Sequence, residues 1–109
     1  MNKEEFDLEL ENMAERCRKA PAPTRFWEPV VRNFDFYEKI KSMDYKVLPF
    51  IREAYDMNCD WAYDMIKDYG LPYIIKKILG DKFPISVPDI WKHDVVKKWL
   101  DYNLSKYVS

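Results

Sequence analysis

Glycine and histidine are both scarce in this 109-residue sequence, which has 2 glycines and a single histidine, His93. So few glycines exclude collagen-like sequence and the glycine-rich loops that cradle phosphate groups. A single histidine excludes metal sites built from several imidazoles. No apolar run approaches the ~18 residues that a membrane span needs, and no hydrophobic stretch follows the charged start in the manner of a secretory signal. We therefore expect a cytoplasmic protein that does not enter a membrane.

Net charge is also small, because 18 Lys and Arg residues are balanced by 19 Asp and Glu residues. A formal charge of −1 argues against a protein whose main task is to neutralise the phosphates of a nucleic acid. Hydrophobic residues make up 48% of the chain, which excludes a disordered polypeptide. The length fits one domain that buries roughly two thirds of its unfolded surface.

The 2 cysteines, Cys17 and Cys59, are far apart and have no further thiol or histidine at a metal-binding spacing. This arrangement predicts two reduced, mostly buried thiols, with a single Cys17–Cys59 disulfide as the alternative. No cysteine or histidine pattern in the sequence predicts a metal site, and we expect no cofactor.

The apolar spacing predicts an all-α fold, a compact single domain of five to six helices with short connections. No segment alternates with the period of two that marks a strand. The first helix is expected over residues 3–18, where one face carries Phe6, Leu10, Met13, Ala14 and Cys17. Pro21 and Pro23 then form a stiff linker in residues 20–23, so this N-terminal helix either lies on the core or serves as a detachable packing arm.

Two long helices are expected in the rest of the chain. Helical spacing from Phe50 to Met65 predicts a central helix over residues 49–69 that ends at Gly70. A short helix should follow from Pro72 and end at Gly80. The last helix is expected over residues 87–107.

Four aspartates, each four residues from the last, stand out on the predicted central helix: Asp56, Asp60, Asp64 and Asp68. On one helix they form a ridge of like charge whose members repel one another by a few tenths of a kcal/mol per pair. The ridge predicts a docking surface for a basic partner or a divalent cation, or else a solvated polar face. If the face is solvated, Asp60→Asn should be neutral or slightly stabilising.

The last helix carries two apolar stripes and is the strongest indication of a partner. Trp91, Val95, Trp99 and Tyr102 form the first stripe, and Val96, Leu100, Leu104 and Tyr107 form the second. Because one packing surface cannot cover both, we expect one stripe to contact another chain; the alternative is a central helix wrapped by its neighbours. The candidate partner-binding residues are Trp91, Val95, Trp99, Leu100 and Tyr102.

The leading functional hypothesis is a small helical protein-binding module without cofactor: an adaptor, inhibitor or assembly subunit. Its partner would be another protein or a second copy of the chain. Nothing in the sequence supports an enzyme, because no nucleophile elbow is present and no second histidine accompanies His93. The alternative is a helix-turn-helix DNA-binding regulator that uses residues 64–79, although that segment lacks the side chains that read bases. Nucleic acid is therefore an unlikely partner.

Overall fold

The N-terminal helix α1 (Lys3–Lys19) is built as the sequence predicts. The side chain of Asn2 accepts a hydrogen bond from the backbone N–H of Glu5 at 2.8 Å, which caps the helix start. Acidic residues lie in its first turn and basic residues in its last, an order that suits the helix dipole. All five residues of the predicted face are buried, so α1 lies on the core and is not a detached arm: Phe6, Leu10, Met13, Ala14 and Cys17.

The computed structural model describes residues 2–19, 39, 42, 44–85 and 92–108. Within these ranges the chain is helical and contains no strand, which confirms the all-α prediction. The radius of gyration is 13.1 Å, close to the ~13 Å expected for a compact domain of about this length. The predicted linker prolines, Pro21 and Pro23, lie outside the described residues.

The predicted single helix over residues 49–69 is wrong, because the chain leaves the helical path after Ala54. A 3-10 turn (Asp44–Val47) leads into α2 (Leu48–Ala54), which has Pro49 in its first turn. Residues 57–60 are not helical. Asn58 and Asp60 are poor helix formers, and the Asp60 carboxylate instead caps a new helix that starts at Trp61.

The new helix, α3, runs through residues 61–79 without a turn at Gly70. It consists of α-helix (Trp61–Met65), π-helix (Ile66–Gly70) and α-helix again (Leu71–Leu79). Gly70 has helical angles, φ −80° and ψ −56°, so the prediction that it ends a helix is wrong. Residues 64–79 therefore lack the turn between two helices that the DNA-binding alternative requires.

The spacing of the buried residues of α3 explains why part of this helix is π-helical. Eight of its ten buried residues, all except Pro72 and Leu79, recur in pairs every four residues: Ala62 and Tyr63, Ile66 and Lys67, Gly70 and Leu71, Ile74 and Ile75. In a regular α-helix such a stripe rotates by about 40° per repeat, because a turn takes 3.6 residues. The π-helical hydrogen bonds close wider turns, which keeps these pairs on the buried face.

The last helix, α4 (His93–Tyr107), is shorter than predicted. Lys92 has an extended backbone, so the predicted start near residue 87 is wrong, and residues 86–91 lie outside the described chain. Helix α4 packs mainly on α2, whereas α1 packs mainly on α3. Between α3 and α4, Gly80 ends α3 as predicted and leads into a 3-10 turn (Gly80–Lys82) and the buried Phe83.

We expect Gly80→Ala to lower the free energy of unfolding by about 1–3 kcal/mol, because Gly80 has φ +58° and ψ −129°, a conformation that residues with a Cβ rarely adopt. No atom stands within 4 Å of the added Cβ, so the loss measures backbone strain alone. Urea unfolding followed by circular dichroism measures it. The neighbouring Asp81→Ala, at an exposed position, should change stability by less than about 0.5 kcal/mol, and an equal loss in both variants would contradict the assignment.

Candidate functional site

Helix α4 separates its two predicted stripes by burial. Val96 and Leu100 are fully buried, and Leu104 and Tyr107 pack partly buried against the same core. The second stripe is therefore the core face of the helix. Leu100, predicted as a partner-binding residue, is only 1% exposed and has no surface to offer a partner in the folded chain.

Some residues of the first stripe pack at the edge of the core, and others are exposed at the surface. The ring of Trp99 meets that of Phe83 edge to face, with centroids 5.0 Å apart, and Trp99 is partly buried. Val95 is 38% exposed and Tyr102 is 83% exposed. Trp91, the fourth predicted member, lies outside the described residues. Val95 and Tyr102 are thus the predicted residues that face outward.

Tyr102 lies on an outward row of residues spaced four apart, which we call the Tyr102 ridge: Asp94, Lys98, Tyr102 and Lys106. All four residues are exposed, and Val95 lies beside them. Within the described part of the chain, none of the three charged members forms an ion pair. The ridge therefore presents an aromatic ring between two lysines, with an aspartate at one end.

Ion pairs link α4 to α2 and to the residues directly after α2. Arg52 donates to both oxygens of Asp101, at 2.6 and 3.2 Å, and this hydrogen bonding raises the pKa of Arg52. Lys97 pairs with Asp56 at 3.1 Å and, as the main cause, lowers the pKa of that carboxyl group. Bidentate Arg–carboxylate pairs fix geometry as well as contribute energy. The ridge is therefore held in a fixed orientation by contacts along the flank of its own helix.

His93, in the first turn of α4, contacts Asp68 of the π-helix. Its Nε2 lies 2.5 Å from Oδ1 of Asp68, and its ring meets that of Tyr55 with centroids 6.0 Å apart. The buried hydroxyl of Tyr55 has no hydrogen-bond partner among the described residues, and burial raises the pKa of Tyr55. His93 is half-buried and engaged by Asp68, and no Ser or Cys nucleophile is seen within its hydrogen bonds. We assign this cluster a structural role.

The four aspartates do not form one ridge, and that prediction is wrong because the helix that would carry them is interrupted. Asp56 lies after α2 and pairs with Lys97, Asp60 caps α3, and Asp68 engages His93. Asp64 is exposed and forms no ion pair with the described residues. Three of these carboxylates therefore already bind other groups of the protein, and the four aspartates do not form a common docking surface.

Asp60 belongs to a network centred on Arg18 that sequence reasoning missed. Arg18 donates to Glu11 at 2.8 Å, to Glu15 at 2.6 Å and to Asp60 at 2.8 Å. Glu11 also accepts a hydrogen bond of 2.6 Å from the hydroxyl of Tyr63. The bond from Arg18 is the main cause that lowers the pKa of Asp60. The available signal was the pair Asn58 and Asp60, which marks a helix start.

An open cleft of about 320 Å³ lies beside this network, lined by Asn58, Cys59, Asp60, Trp61 and Asp64. Its Asp60 carboxylate is already engaged by Arg18 and by the backbone N–H groups of Ala62 and Tyr63. The described residues contain no group of three His, Cys, Asp or Glu side chains placed to hold a metal ion. The described lining of the cleft therefore holds no metal-binding group of this kind.

Comparison of the chain with protein-family models, with curated proteins and with solved structures finds no significant match. No helix in the described ranges is both long enough and apolar enough to cross a membrane. The Tyr102 ridge of α4 carries an aromatic ring that is 83% exposed, between two lysines that form no ion pair with the described residues.

We expect Asp60→Asn to lower the free energy of unfolding by about 0.2–1 kcal/mol, since it loses the charge facing Arg18 but keeps a capping side chain. Asp60→Ala also loses the cap and should cost about 0.5–2 kcal/mol more. Urea unfolding at neutral pH measures both. Asp64→Asn is the matched control and should be neutral.

The pH dependence of the Asp60→Asn effect has a defined sign. Since the folded-state pKa of Asp60 lies below its ordinary value of 3.8, the stability from its charge is present at neutral pH. It is lost as the pH falls below 3.8 and through the folded-state pKa, so the difference between wild type and Asp60→Asn should shrink in acid. A stabilising effect of Asp60→Asn at neutral pH would contradict the network.

The two cysteines should differ sharply in reactivity. Both are free, as predicted, but Cys59 is exposed, so the expectation of two buried thiols is wrong for Cys59. Burial raises the pKa of Cys17 to about 11, which suppresses its thiolate. Ellman's reagent at neutral pH should modify one thiol per chain quickly and the second only after unfolding. Two fast thiols, or none, would contradict this arrangement.

Proposed function

We propose that this protein is a small helical protein-binding module and that the Tyr102 ridge, with Val95 beside it, is its contact surface. The observation that carries the proposal is the 83% exposure of Tyr102 at the centre of the outward side of α4. Tyrosine is enriched at the centres of protein interfaces, where its ring supplies apolar area and its hydroxyl supplies a hydrogen bond. Such binding requires neither catalysis nor a cofactor.

The rigid seating of α4 supports this function. Val96 and Leu100 are buried beneath the helix, and Arg52 holds Asp101 on its flank. A surface that is already ordered loses less conformational entropy on binding than a mobile one. The ridge is therefore prepared to receive a partner without rearrangement of the helix that carries it.

The lysines of the ridge support a partner that carries negative charge. Lys98 and Lys106 flank Tyr102 at four residues on either side, and neither forms an ion pair with the described part of the chain. An acidic partner surface would meet them without breaking any internal contact. Charge complementarity of this kind fixes the orientation of a partner and speeds its association.

A photo-crosslinking amino acid in place of Tyr102 should capture a protein chain, because that position is proposed to be buried on binding. The same amino acid in place of Lys77, exposed on α3, should capture none. The measurement is covalent capture under native conditions, with the captured chain identified by mass spectrometry. Absence of any captured protein at position 102 would contradict the proposed function.

A pair of alanine variants separates binding from folding. Tyr102→Ala should leave the free energy of unfolding within about 0.5 kcal/mol of wild type, because the residue is exposed. Leu100→Ala should lose about 2–5 kcal/mol, because the residue is buried. Equal destabilisation by both would show that Tyr102 belongs to the core.

A further inference from the structure

Another exposed apolar residue lies on the N-terminal helix α1, in a row of residues with the same spacing as the Tyr102 ridge. Leu8 on α1 is 60% exposed and sits on a row of residues spaced four apart, which we call the Leu8 ridge: Glu4, Leu8, Asn12 and Arg16. All four members are exposed. Glu4 and Arg16 form no ion pair with the residues that the structure describes. The Leu8 ridge thus carries an apolar centre with a negative charge at one end and a positive charge at the other.

We infer that the partner of the Tyr102 ridge is the Leu8 ridge of a second copy of this chain. This inference rests on the proposed function, since it names the occupant of the same surface. Rows of residues spaced four apart run parallel to one another when two helices cross at about −50°, the commonest packing of helices, so the two ridges can lie side by side along their length. Helices of 17 and 15 residues, about 25 and 22 Å long, are long enough to cross in this way.

The order of charges selects one orientation of the two ridges. When they run antiparallel with Leu8 against Tyr102, Glu4 lies opposite Lys106, because each is four residues from its centre. Arg16 and Asp94, each eight residues from the centre, also lie opposite one another. A parallel arrangement leaves Arg16 and Asp94 without a counterpart. The antiparallel register therefore pairs all of the end charges with the opposite sign.

The same register gives Lys98 a neutral acceptor. It places Lys98 opposite Asn12, whose amide oxygen can accept a hydrogen bond from the ammonium group. Leu8 and Tyr102 lie at the centre, where the contact removes apolar surface from water. Because each copy offers both ridges, one copy binds through α1 and another through α4, which is the head-to-tail form of association.

Charge reversal on each ridge tests this contact directly. One variant carries Glu4→Lys and Arg16→Glu on α1, and the other carries Asp94→Lys and Lys106→Glu on α4. Wild type should self-associate with increasing concentration and dissociate with added salt. Each variant alone should bind itself about tenfold more weakly or worse, because attraction becomes repulsion at both ends. Analytical ultracentrifugation measures the average mass of each sample.

An equimolar mixture of the two variants should recover the association of wild type. In the mixture the reversed α1 meets a reversed α4, and the native α1 meets a native α4, so every contact is complementary again. Lys77→Glu with Asp81→Lys reverses two exposed charges elsewhere and should leave association unchanged. Circular dichroism checks that each variant is folded. Leu8→Asn and Tyr102→Ser leave the ridge charges intact and should each weaken self-association separately.

The outcomes distinguish this inference from the proposed function. Recovery in the mixture, together with capture of the α1 segment by the crosslinker at position 102, supports the self-contact. A monomeric wild type whose position 102 captures a different protein overturns the self-contact but leaves the proposed function standing. Self-association that neither reversal weakens overturns the assignment to these ridges. Absence of any captured chain overturns both proposals.

Discussion

The hydrogen-bonded ion pair between Arg18 and Asp60 couples the N-terminal helix α1 to the start of α3. Arg18 stands near the end of α1 and Asp60 is the cap of α3, and their side chains meet at 2.8 Å. The Asp60 carboxylate caps the start of α3 and also accepts a hydrogen bond from Arg18 of α1. The start of α3 and the position of α1 are therefore coupled. Glu11 and Glu15 hold the guanidinium group in place for this contact. This coupling adds to the burial of Phe6, Leu10 and Met13, which holds α1 on the core.

Helix α1 shows how much structure a local sequence pattern can predict. Its buried face was predicted residue by residue, because the charged and apolar positions agree with the helical period and with the dipole at both ends. The central segment carries an equally regular spacing from Phe50 to Met65, yet it is interrupted. There a capping aspartate competes with helix continuation, and its partner Arg18 lies 42 residues away, beyond the range of any local period.

The candidate site was only half predictable for a similar reason. Spacing places Trp99 and Leu100 on different sides of α4, but it cannot say which side meets the core. That choice depends on contacts with residues distant in the sequence, such as the pair between Arg52 and Asp101, which lie 49 positions apart, and the burial of Val96 and Leu100 in the common core. Tyr102 was identified because it lies on a stripe, whereas Leu8 was missed because a single apolar residue among acidic neighbours follows no period.

The π-helix of α3 fixes the phase between the two halves of that helix. A π turn contains one residue more than the α turn it replaces, so it behaves as a one-residue insertion retained within the helix. Straightening Ile66–Gly70 into α-helix without removing a residue would rotate Leu71–Leu79 by about 100° relative to Trp61–Met65. Ile74 and Ile75 would then turn away from the core they now fill. The irregular turn is therefore a spacer of fixed length, and the chain cannot straighten it without repacking the interior around Leu71–Leu79.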